Sequence, residues 1–394
     1  RLWLVTIHDP KVAAYQLNLF MDMAWDIRTV TPTTVQQHLQ NWLGVQFGEQ
    51  AAARLIKPLI TFYRLSGIRR PEFMGWNEAP KAGVNPIFSN ENKVNNTDFS
   101  AEEFGNELER YLNDYDSLSL SVLKLEDVIP DNLKSSYFAM VEYPIMSSAA
   151  MATKILQAQE ARHIGRIASF HHDREALEPA ARSVMAYRKL KWLISVYNTI
   201  NEQKWRGLMD MQPRNLPVFD APLLPDTLSE KEIETYSHQE PVDASFNNDN
   251  CIVRSGSDFL NGTRGWEELN MLGHSMNSVK IKKGGFITYQ FDAEEGTAEL
   301  RLALIPTHGR LGVPMALSVS IDDGEPDTLQ ITNALGTETW KQGVLRGQII
   351  VKHGIQLSAG THYLVVRALN EPIVIDQWMI DYNKDRRFYI FPQR

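Results

Sequence analysis

The sequence predicts a multidomain α + β protein, and three changes of pattern along the chain carry this prediction. A short apolar, β-branched stretch opens the chain, residues 13–211 show helical periodicity, and the later residues alternate with a period of two. The length of 394 residues suffices for two or three domains. We therefore expect a single strand, then an α-helical bundle, then a C-terminal antiparallel β-sandwich.

The first predicted element is a buried strand formed by the apolar residues 2–7. A strand buried on both faces needs neighbours on either side, yet the next strand-like segments lie far along the chain. The chain also begins with Arg1 rather than Met. We therefore expect this segment to be the last strand of a larger sheet that precedes Arg1, with apolar surface left open in its absence.

Residues 13–211 are predicted to form the bundle. Residues 13–27 place apolar side chains at spacings of three and four, and Thr31-Pro32 provides an N-cap and a first-turn proline for the next helix. Ser100, followed by acidic residues, is a helix start of the same kind. Long helices with short connections are typical of an antiparallel bundle. The two longest predicted helices are 133–170 and 174–206.

The remaining segments are predicted to be a linker and a β domain. Residues 212–239 are rich in proline and resemble a linker laid along a surface. Residues 240–394 hold seven or eight short alternating runs separated by Gly- and Asp-containing turns, which indicates a sandwich or jelly roll. Residues 75–99 hold Pro, Gly and several Asn residues and are expected to be a long surface loop.

Composition and charge disfavour several functional classes. The formal net charge of −8 disfavours a general nucleic-acid role, because phosphate binding needs a basic surface. No run of about 18 apolar residues is present, so we expect no membrane span. The one cysteine, Cys251, excludes a Cys-rich zinc site. We also expect no metal at His171-His172, because adjacent histidines on a helix end do not face each other.

His8, Asp9 and Lys11 form the sharpest chemical cluster of the sequence, directly after the opening strand. The exit of a buried parallel strand is where α/β enzymes place their chemistry. An anionic sugar would be met well by His8 and Lys11, since charge-assisted hydrogen bonds are the strong kind. The structural alternative is that Asp9 caps the following helix and Lys11 is solvated.

Several tryptophans leave a choice between core packing and sugar binding. Trp205, beside Lys204 at a predicted helix end, is either a core plug or a sugar-stacking side chain. Trp266, Trp340 and Trp378 in the β region pose the same choice. Two or more of these three in an exposed row would favour carbohydrate binding, whereas burial of all three would favour a scaffold or an interface.

An ordered set of short motifs runs from the opening strand to the β region. They are Phe20-x-Asp22-x-Ala24-Trp25-Asp26, Gln46-Phe47-Gly48, Arg69-Arg70-Pro71-Glu72, Tyr137, Tyr143-Pro144, Lys204-Trp205, Met209, Ser320–Pro326, Trp340 and Leu357–His362. Together with the strand and its polar turn, this set resembles the C-terminal part of glycoside hydrolase family 115, the xylan α-glucuronidases. The resemblance covers essentially the whole chain, in the family's order.

The resemblance implies a multidomain enzyme with an α/β domain and a (β/α)8-like barrel first, then a helical bundle, then a β-sandwich. Residues 1–12 would then be the end of a truncated catalytic barrel, and the catalytic carboxylates would lie upstream of Arg1. Members remove glucuronic acid or its 4-O-methyl ether from xylan with inversion, without a metal or organic cofactor. Asp9 and Lys11 match the family's strand exit and His8 departs from it. We expect all three to bind substrate.

The resemblance also sets expectations for partners and location. Glucuronoxylan or its oligosaccharides would be the ligand, the protein would be periplasmic or secreted, and homodimerisation through the bundle and sandwich is compatible with the sequence. The fragment alone is expected to be inactive. The competing hypothesis is a non-catalytic carbohydrate-binding or dimerisation module whose function lies in the β-sandwich.

Overall fold

The first half of the protein is helical, as predicted. The structure, a computed structural model, describes residues 2–7, 11–74, 96–167, 173–236, 250–307, 309 and 313–392. A π-helical turn at Phe138–Glu142 precedes Tyr143-Pro144, where the missing proline N–H interrupts the regular hydrogen-bond ladder. The helices are α1 (Ala14–Trp25), α2 (Val35–Phe47), α3 (Glu49–Ile68), α4 (Glu107–Leu125), α5 (Lys134–Tyr137), α6 (Tyr143–Ile167), α7 (Asp173–Thr199), α8 (Glu230–Thr235) and, within the β region, α9 (Glu338–Arg346).

The apolar faces of most of these helices meet in one large core, and α8 packs against α6 and α7 in a smaller, separate cluster. Helix α6 is the centre of this arrangement, because it packs against both α4 and α7. Aromatic side chains fill much of the space, and Tyr137 Oη donates a hydrogen bond of 2.7 Å to Val122 O. The predicted helical periodicity therefore reports the buried face correctly. Fully buried members of the core include Leu39, Leu43, Leu55, Leu112, Tyr111, Tyr115 and Tyr137.

Two predicted helix starts are wrong by a few residues. Thr34, not Thr31, precedes the first residue of α2, and Thr34 Oγ1 accepts a bond of 2.9 Å from Thr31 N. Ser100 Oγ accepts two backbone N–H bonds, as a cap would. Left-handed backbone at Phe104 (φ 51°) then delays α4 until Glu107. Both motifs form turns, but a helix does not follow directly.

The C-terminal half is an antiparallel β-sandwich of two sheets, which confirms the predicted fold class. One sheet has the order β3-β4-β11-β6-β9, with β1 also paired to β11, and the other has the order β2-β5-β10-β7-β8. The strands are β1 (Cys251–Ser255), β2 (Asn261–Gly262), β3 (Trp266–Asn270), β4 (Asn277–Ile281), β5 (Phe286–Ala293), β6 (Gly296–Leu304), β7 (Met315–Ile321), β8 (Asp327–Ile331), β9 (Ile349–Leu357), β10 (Gly360–Ala368) and β11 (Ile373–Asp381).

Strand β11 is the central element of its sheet and is buried along its whole length. It pairs with β6 in a register that sets Trp378 opposite Leu302. Trp378 is fully buried and packs against Tyr289 and Phe291 of the facing sheet, at centroid distances of 5.1 and 5.6 Å. These aromatic contacts hold the two sheets together.

The segment after β11 leaves the sandwich and packs into the helical half. Tyr389 and Ile390 belong to the core of the bundle, and the Tyr389 ring stacks on Phe99 at 4.4 Å. Phe388 meets Phe104 edge-on at 5.2 Å. The two halves of the protein are therefore joined by this C-terminal segment, residues 386–391, which we call the C-terminal strap.

The opening segment shows no strand pairing, unlike the buried strand predicted for residues 2–7. Leu2 and Leu4 are 91% and 92% exposed, and Trp3 contacts Phe20 of α1 at 5.3 Å. The predicted consequence, apolar surface left open, is observed. The place of this segment in a barrel stays a prediction.

The predicted linker lies along the bundle in its described part. Val218 is buried in the helical core, and Lys154 Nζ donates bonds of 2.7 Å to the carbonyl oxygens of Val218 and Asp220. The predicted boundary at residue 240 lies outside the described residues. The loop predicted over residues 75–99 is described only from residue 96 onward.

Candidate functional site

Lys11, a predicted substrate-binding residue, lies against Trp205, although 193 residues separate them in the sequence. Lys11 Nζ is 4.1 Å from the centroid of the Trp205 ring. Lys204 Nζ is 5.0 Å from the same centroid. One half-buried indole therefore holds two ammonium groups, which we call the Lys11–Trp205 cluster. His8 and Asp9 lie outside the described residues.

A left-handed turn brings Trp205 to this position. Helix α7 ends at Thr199, and Asn201, Glu202 and Gln203 follow with φ angles of 52°, 56° and 63°. A non-glycine residue in this conformation costs roughly 1–2 kcal/mol. Strain of this kind is concentrated at functional sites, where surrounding contacts must sustain it.

Asn198 supplies such a contact by closing the base of the turn. Its Nδ2 donates to Met209 O at 2.9 Å, and its Oδ1 accepts from Met209 N at 3.1 Å. Within the turn, Lys204 N donates to Asn201 O and Leu208 N donates to Trp205 O, both at 3.0 Å. The segment between Asn198 and Met209 is thus a closed loop with Trp205 near its centre.

The Lys11–Trp205 cluster is suited to binding an anion. The negative face of an indole attracts ammonium groups by roughly 0.5–1 kcal/mol each at exposed sites. Holding Lys11 and Lys204 on one ring concentrates positive charge that a carboxylate can meet through charge-assisted hydrogen bonds. Trp205 is half-buried rather than fully buried, and the two lysines lie near its ring. The choice between core packing and sugar stacking therefore stays a prediction.

Sequence reasoning identified Lys11 and Trp205 separately and missed their contact. Each stood out because of its immediate neighbours, His8-Asp9 for the lysine and Lys204 for the tryptophan. No periodicity links residue 11 to residue 205, and the left-handed turn has no glycine to announce it within residues 201–203. The one link between the two segments in the sequence is that both belong to the ordered set of motifs that resembles the family.

The tryptophans of the β region do not form an exposed row. Trp378 is fully buried between the sheets, Trp266 is 40% exposed on β3, and Trp340 is half-buried on α9. Trp266 also packs edge-on against Phe259 at 4.8 Å. The arrangement that would have favoured a carbohydrate-binding sandwich is therefore not present.

The described residues contain neither a candidate metal-binding group nor a helix that could span a membrane. They hold no group of three or more His, Cys, Asp or Glu side chains arranged to bind a metal ion. His171-His172, weighed as a metal site in the sequence, lies outside them. Among the helices described, each is too short or too polar to cross a membrane.

Two models of known protein families match the chain, one in its N-terminal part and one in its C-terminal part. The model of glycosyl hydrolase family 115 matches residues 1–73, and the model of the family's C-terminal domain matches residues 258–394. Together the two matches cover more than half of the chain. No curated protein sequence matches it.

Solved structures include one that matches the chain almost throughout. A family GH115 4-O-methyl-α-glucuronidase, BtGH115A, described as having specificity for decorated arabinogalactans, is 30% identical with a TM-score of 0.74. The match covers 93% of this chain and 44% of that protein, so the chain spans less than half of its length. The C-terminal CBM6 of LamC, a marine laminarinase from Zobellia galactanivorans, is 16% identical over 34% of this chain and 99% of that one, with a TM-score of 0.26. From the two family models and the long structural match, we conclude that the chain belongs to glycoside hydrolase family 115 and corresponds to its C-terminal part.

Proposed function

We propose that the chain is the C-terminal portion of a glycoside hydrolase that removes glucuronic acid or 4-O-methylglucuronic acid from a decorated polysaccharide. The observation that carries the proposal is the match of 93% of the chain to a solved 4-O-methyl-α-glucuronidase. The Lys11–Trp205 cluster adds a chemical reason, since two ammonium groups on one indole provide the charge that a uronate carboxylate needs.

The proposed reaction is hydrolysis with inversion. Inversion uses one carboxylic acid to protonate the leaving oxygen and one carboxylate to activate a water on the opposite face of the sugar. We place both groups upstream of Arg1, so that this chain supplies binding and support rather than the reacting carboxyl groups. His8, Asp9 and Lys11 are proposed to line the edge of that pocket. The scheme calls on no cofactor.

Two polysaccharides compete as the substrate. The motifs of the sequence point to glucuronoxylan, whereas the solved relative is described as specific for decorated arabinogalactans. Both hypotheses require the same recognition of an acidic sugar, and they differ in the backbone that carries it. We propose glucuronoxylan as the first substrate to test.

We also propose that the protein is periplasmic or secreted and that it forms a homodimer.

The test compares the chain of residues 1–394 with the full-length gene product on both polysaccharides. We expect the longer protein to release the uronic acid, detected by anion-exchange chromatography, and the chain alone to release none. Proton NMR of the first product should show the β-anomer if an α-linkage is hydrolysed with inversion. Release by the chain alone would contradict the upstream placement of the carboxylates. Absence of release by both proteins would contradict the proposed function.

A further inference from the structure

Two adjoining cavities lie between the helical half and the sandwich, separate from the Lys11–Trp205 cluster. Their volumes are about 600 and 620 Å³, within the range of small-molecule sites. Arg346 and Lys352 line both of them, as does Asp98 on the helical side. We call the two together the interdomain groove. We propose that this groove is a second binding site, which takes an acidic oligosaccharide.

The charge of the groove is opposite to that of the whole molecule. The chain has a formal net charge of −8, yet basic side chains outnumber acidic ones by six to three in the described lining. A cleft of one charge on a protein of the other attracts ions of the matching sign. The basic residues are Arg69, Arg301, Arg346, Lys352, Arg386 and Arg387, and the acidic ones are Asp98, Glu102 and Glu160.

Two of the arginines are occupied by the protein itself. Arg301 lies 3.1 Å from Asp381 and 2.8 Å from Glu299, and Arg386 lies 3.4 Å from both Asp381 and Glu103. These buried pairs form a rigid wall of the groove. Arg69 is likewise occupied, since its guanidinium donates to Phe73 O. Arg346, Lys352 and Arg387 are the cations left to consider for a ligand.

Arg387, Arg346 and Lys352 are the three side chains that we assign to the ligand. Arg387 is exposed, and it makes no hydrogen bond or ion pair with the described part of the chain. Arg346 donates from Nη2 to Tyr389 O, whereas its buried Nε has no hydrogen-bond partner among the described residues. Lys352 is exposed, and its Nζ lies 3.2 Å from Glu299.

The three acidic residues of the lining offset only part of this positive charge. Glu102 lies 3.5 Å from His163, which also lines the groove. Burial, together with the neighbouring Glu109, raises the pKa of Glu160 to about 7, so a large share of Glu160 is neutral near pH 7. Asp98 is exposed and interacts electrostatically with Arg346, where it opposes the burial that lowers the pKa of that guanidinium.

The rest of the lining favours a sugar over a simple anion. One cavity is lined by neutral hydroxyl and amide side chains, which can both donate to and accept from sugar hydroxyl groups. A ligand that combines a carboxylate with several hydroxyl groups therefore matches the groove as a whole. These neutral residues include Thr97, Thr328, Gln330, Thr332, Thr339 and Gln342. The choice of a uronic acid as the acidic sugar rests on the proposed function.

Isothermal titration calorimetry on the Trp205→Leu variant tests the groove while weakening the other cluster. The probes are a xylotriose carrying one 4-O-methylglucuronic acid, unsubstituted xylotriose and inorganic phosphate. We expect the acidic probe to bind at least tenfold more tightly than either control probe. Adding Arg387→Ala and Lys352→Ala to this variant should weaken binding of the acidic probe about tenfold, since a hydrogen bond to a charged group contributes roughly 1.5–3 kcal/mol. Lys280→Ala on β4 is the matched surface control and should change nothing.

The outcomes separate this inference from the proposed function. Equal affinity for acidic and neutral xylotriose, or unchanged affinity in the double variant, would overturn the groove as an acidic-sugar site. Phosphate binding as tightly as the acidic probe would make it a simple anion site and also contradict the inference. Release of uronic acid by the full-length gene product, measured separately, decides the proposed function whatever the groove binds.

Discussion

At the scale of single residues, Asp376 shows how one buried side chain can organise several hydrogen bonds of the sandwich. It is fully buried on β11, and its oxygens accept from His274 N and Ser275 N at 2.7 and 3.1 Å. Ser275 Oγ and Gln348 Nε2 each donate to it at 2.6 Å. One acceptor thus satisfies donors from two loops that would otherwise be buried without partners.

Replacing Asp376 by alanine should destabilise the sandwich by about 3 kcal/mol or more. The substitution leaves several buried donors unpaired, and each such donor costs roughly 1–3 kcal/mol. The midpoint of urea unfolding, followed by circular dichroism, measures the effect. Asp327→Ala removes an exposed carboxyl group next to His353 and should shift the midpoint little. Equal shifts for both variants would refute the role of Asp376.

Gly273 lies so close to the Asp376 carboxyl group that its position has no room for a side chain. Its φ is +84°, and a Cβ atom placed on it would lie 2.2 Å from Asp376 Oδ1. Gly273→Ala should therefore destabilise the sandwich as strongly as removal of the carboxyl group, because both the backbone conformation and the contact exclude a side chain. Gly284→Ala is the comparison: its φ is +77°, yet nothing lies within 4 Å, so only the conformational cost should appear in the unfolding midpoint.

Trp205 contacts the two lysines that we propose to bind the acidic sugar. Trp205→Leu in the full-length gene product should raise KM for an acidic oligosaccharide about fivefold, because two cation–π contacts of roughly 0.5–1 kcal/mol are lost. The value of kcat should stay nearly constant, since Trp205 positions the lysines and does not touch reacting atoms in the proposed scheme. Trp266→Leu in the sandwich is the matched control. An unchanged KM for Trp205→Leu would argue against the cluster as a binding site.

At the scale of elements, the end of α7 shows how a helix is turned into a support for a site. Three successive left-handed residues reverse the chain direction, and the Asn198 side chain forms two hydrogen bonds with Met209 at the other end of the loop. The tryptophan is then held over the start of α1, close to Lys11. Neither helix alone has a feature that would form this cluster.

Asn198→Ala should loosen this turn without unfolding α7. The variant loses both hydrogen bonds to Met209, so the loop has less to offset the strain of residues 201–203. Hydrogen exchange followed by mass spectrometry should show faster exchange at residues 203–209 and unchanged protection in α6. Asn41→Ala, which removes an exposed amide that accepts from Gln37, should leave both regions unchanged. Unaltered exchange at residues 203–209 would count against the clamp.

At the scale of the whole molecule, the C-terminal strap is one of the contacts that join the bundle to the sandwich. The carboxyl group of Glu107 on α4, which is buried, accepts backbone bonds of 2.9 Å from both Tyr389 and Ile390. Tyr389 Oη also donates to Ile68 O at 3.3 Å. A single acidic side chain of the bundle thus anchors the end of the β domain.

Glu107 should also make stability depend on pH. Burial raises its pKa from the ordinary 4.5 to about 7, so the folded protein binds the proton more tightly than the unfolded chain. Its contribution is fully present below about pH 4.5 and is lost as the pH rises through 7. Glu142 and Glu160, both with pKa raised to about 7, act in the same direction. Buried His274, with its pKa lowered to about 4, opposes them between pH 4 and 6.5.

The Glu107→Gln variant isolates this effect. Between pH 5 and 8 it should lose less stability than the natural protein, with a difference on the order of 3 kcal/mol at the upper end if the whole pKa shift acts. Chemical unfolding at a series of pH values measures the two slopes. The exposed Glu230→Gln, at the start of α8, serves as the control. Parallel slopes for Glu107→Gln and the natural protein would exclude Glu107 as the titrating group.

The sequence predicted the order and type of the elements better than their contacts. Leu39, Leu43 and Leu55 recur at helical spacing and are buried as expected, because periodicity reports which face of a helix is apolar. The starts of α2 and α4 were misplaced, since a capping residue also forms a turn when the next residues leave the helical region. Residues 2–7 read as a buried strand, yet β-branched composition carries no information on whether a partner strand is at hand.

For the site, the sequence supplied the chemistry of Lys11 and the family that the comparisons then identified. Those properties belong to short stretches of side chains, and they survive without any three-dimensional context. Only the tertiary structure decided that Lys11 meets Trp205, that residues 386–391 pack into the bundle, and that basic side chains line a groove between the halves. Each of these is a contact between distant parts of the chain. Such contacts depend on how whole elements pack, and no local pattern of residues records that geometry.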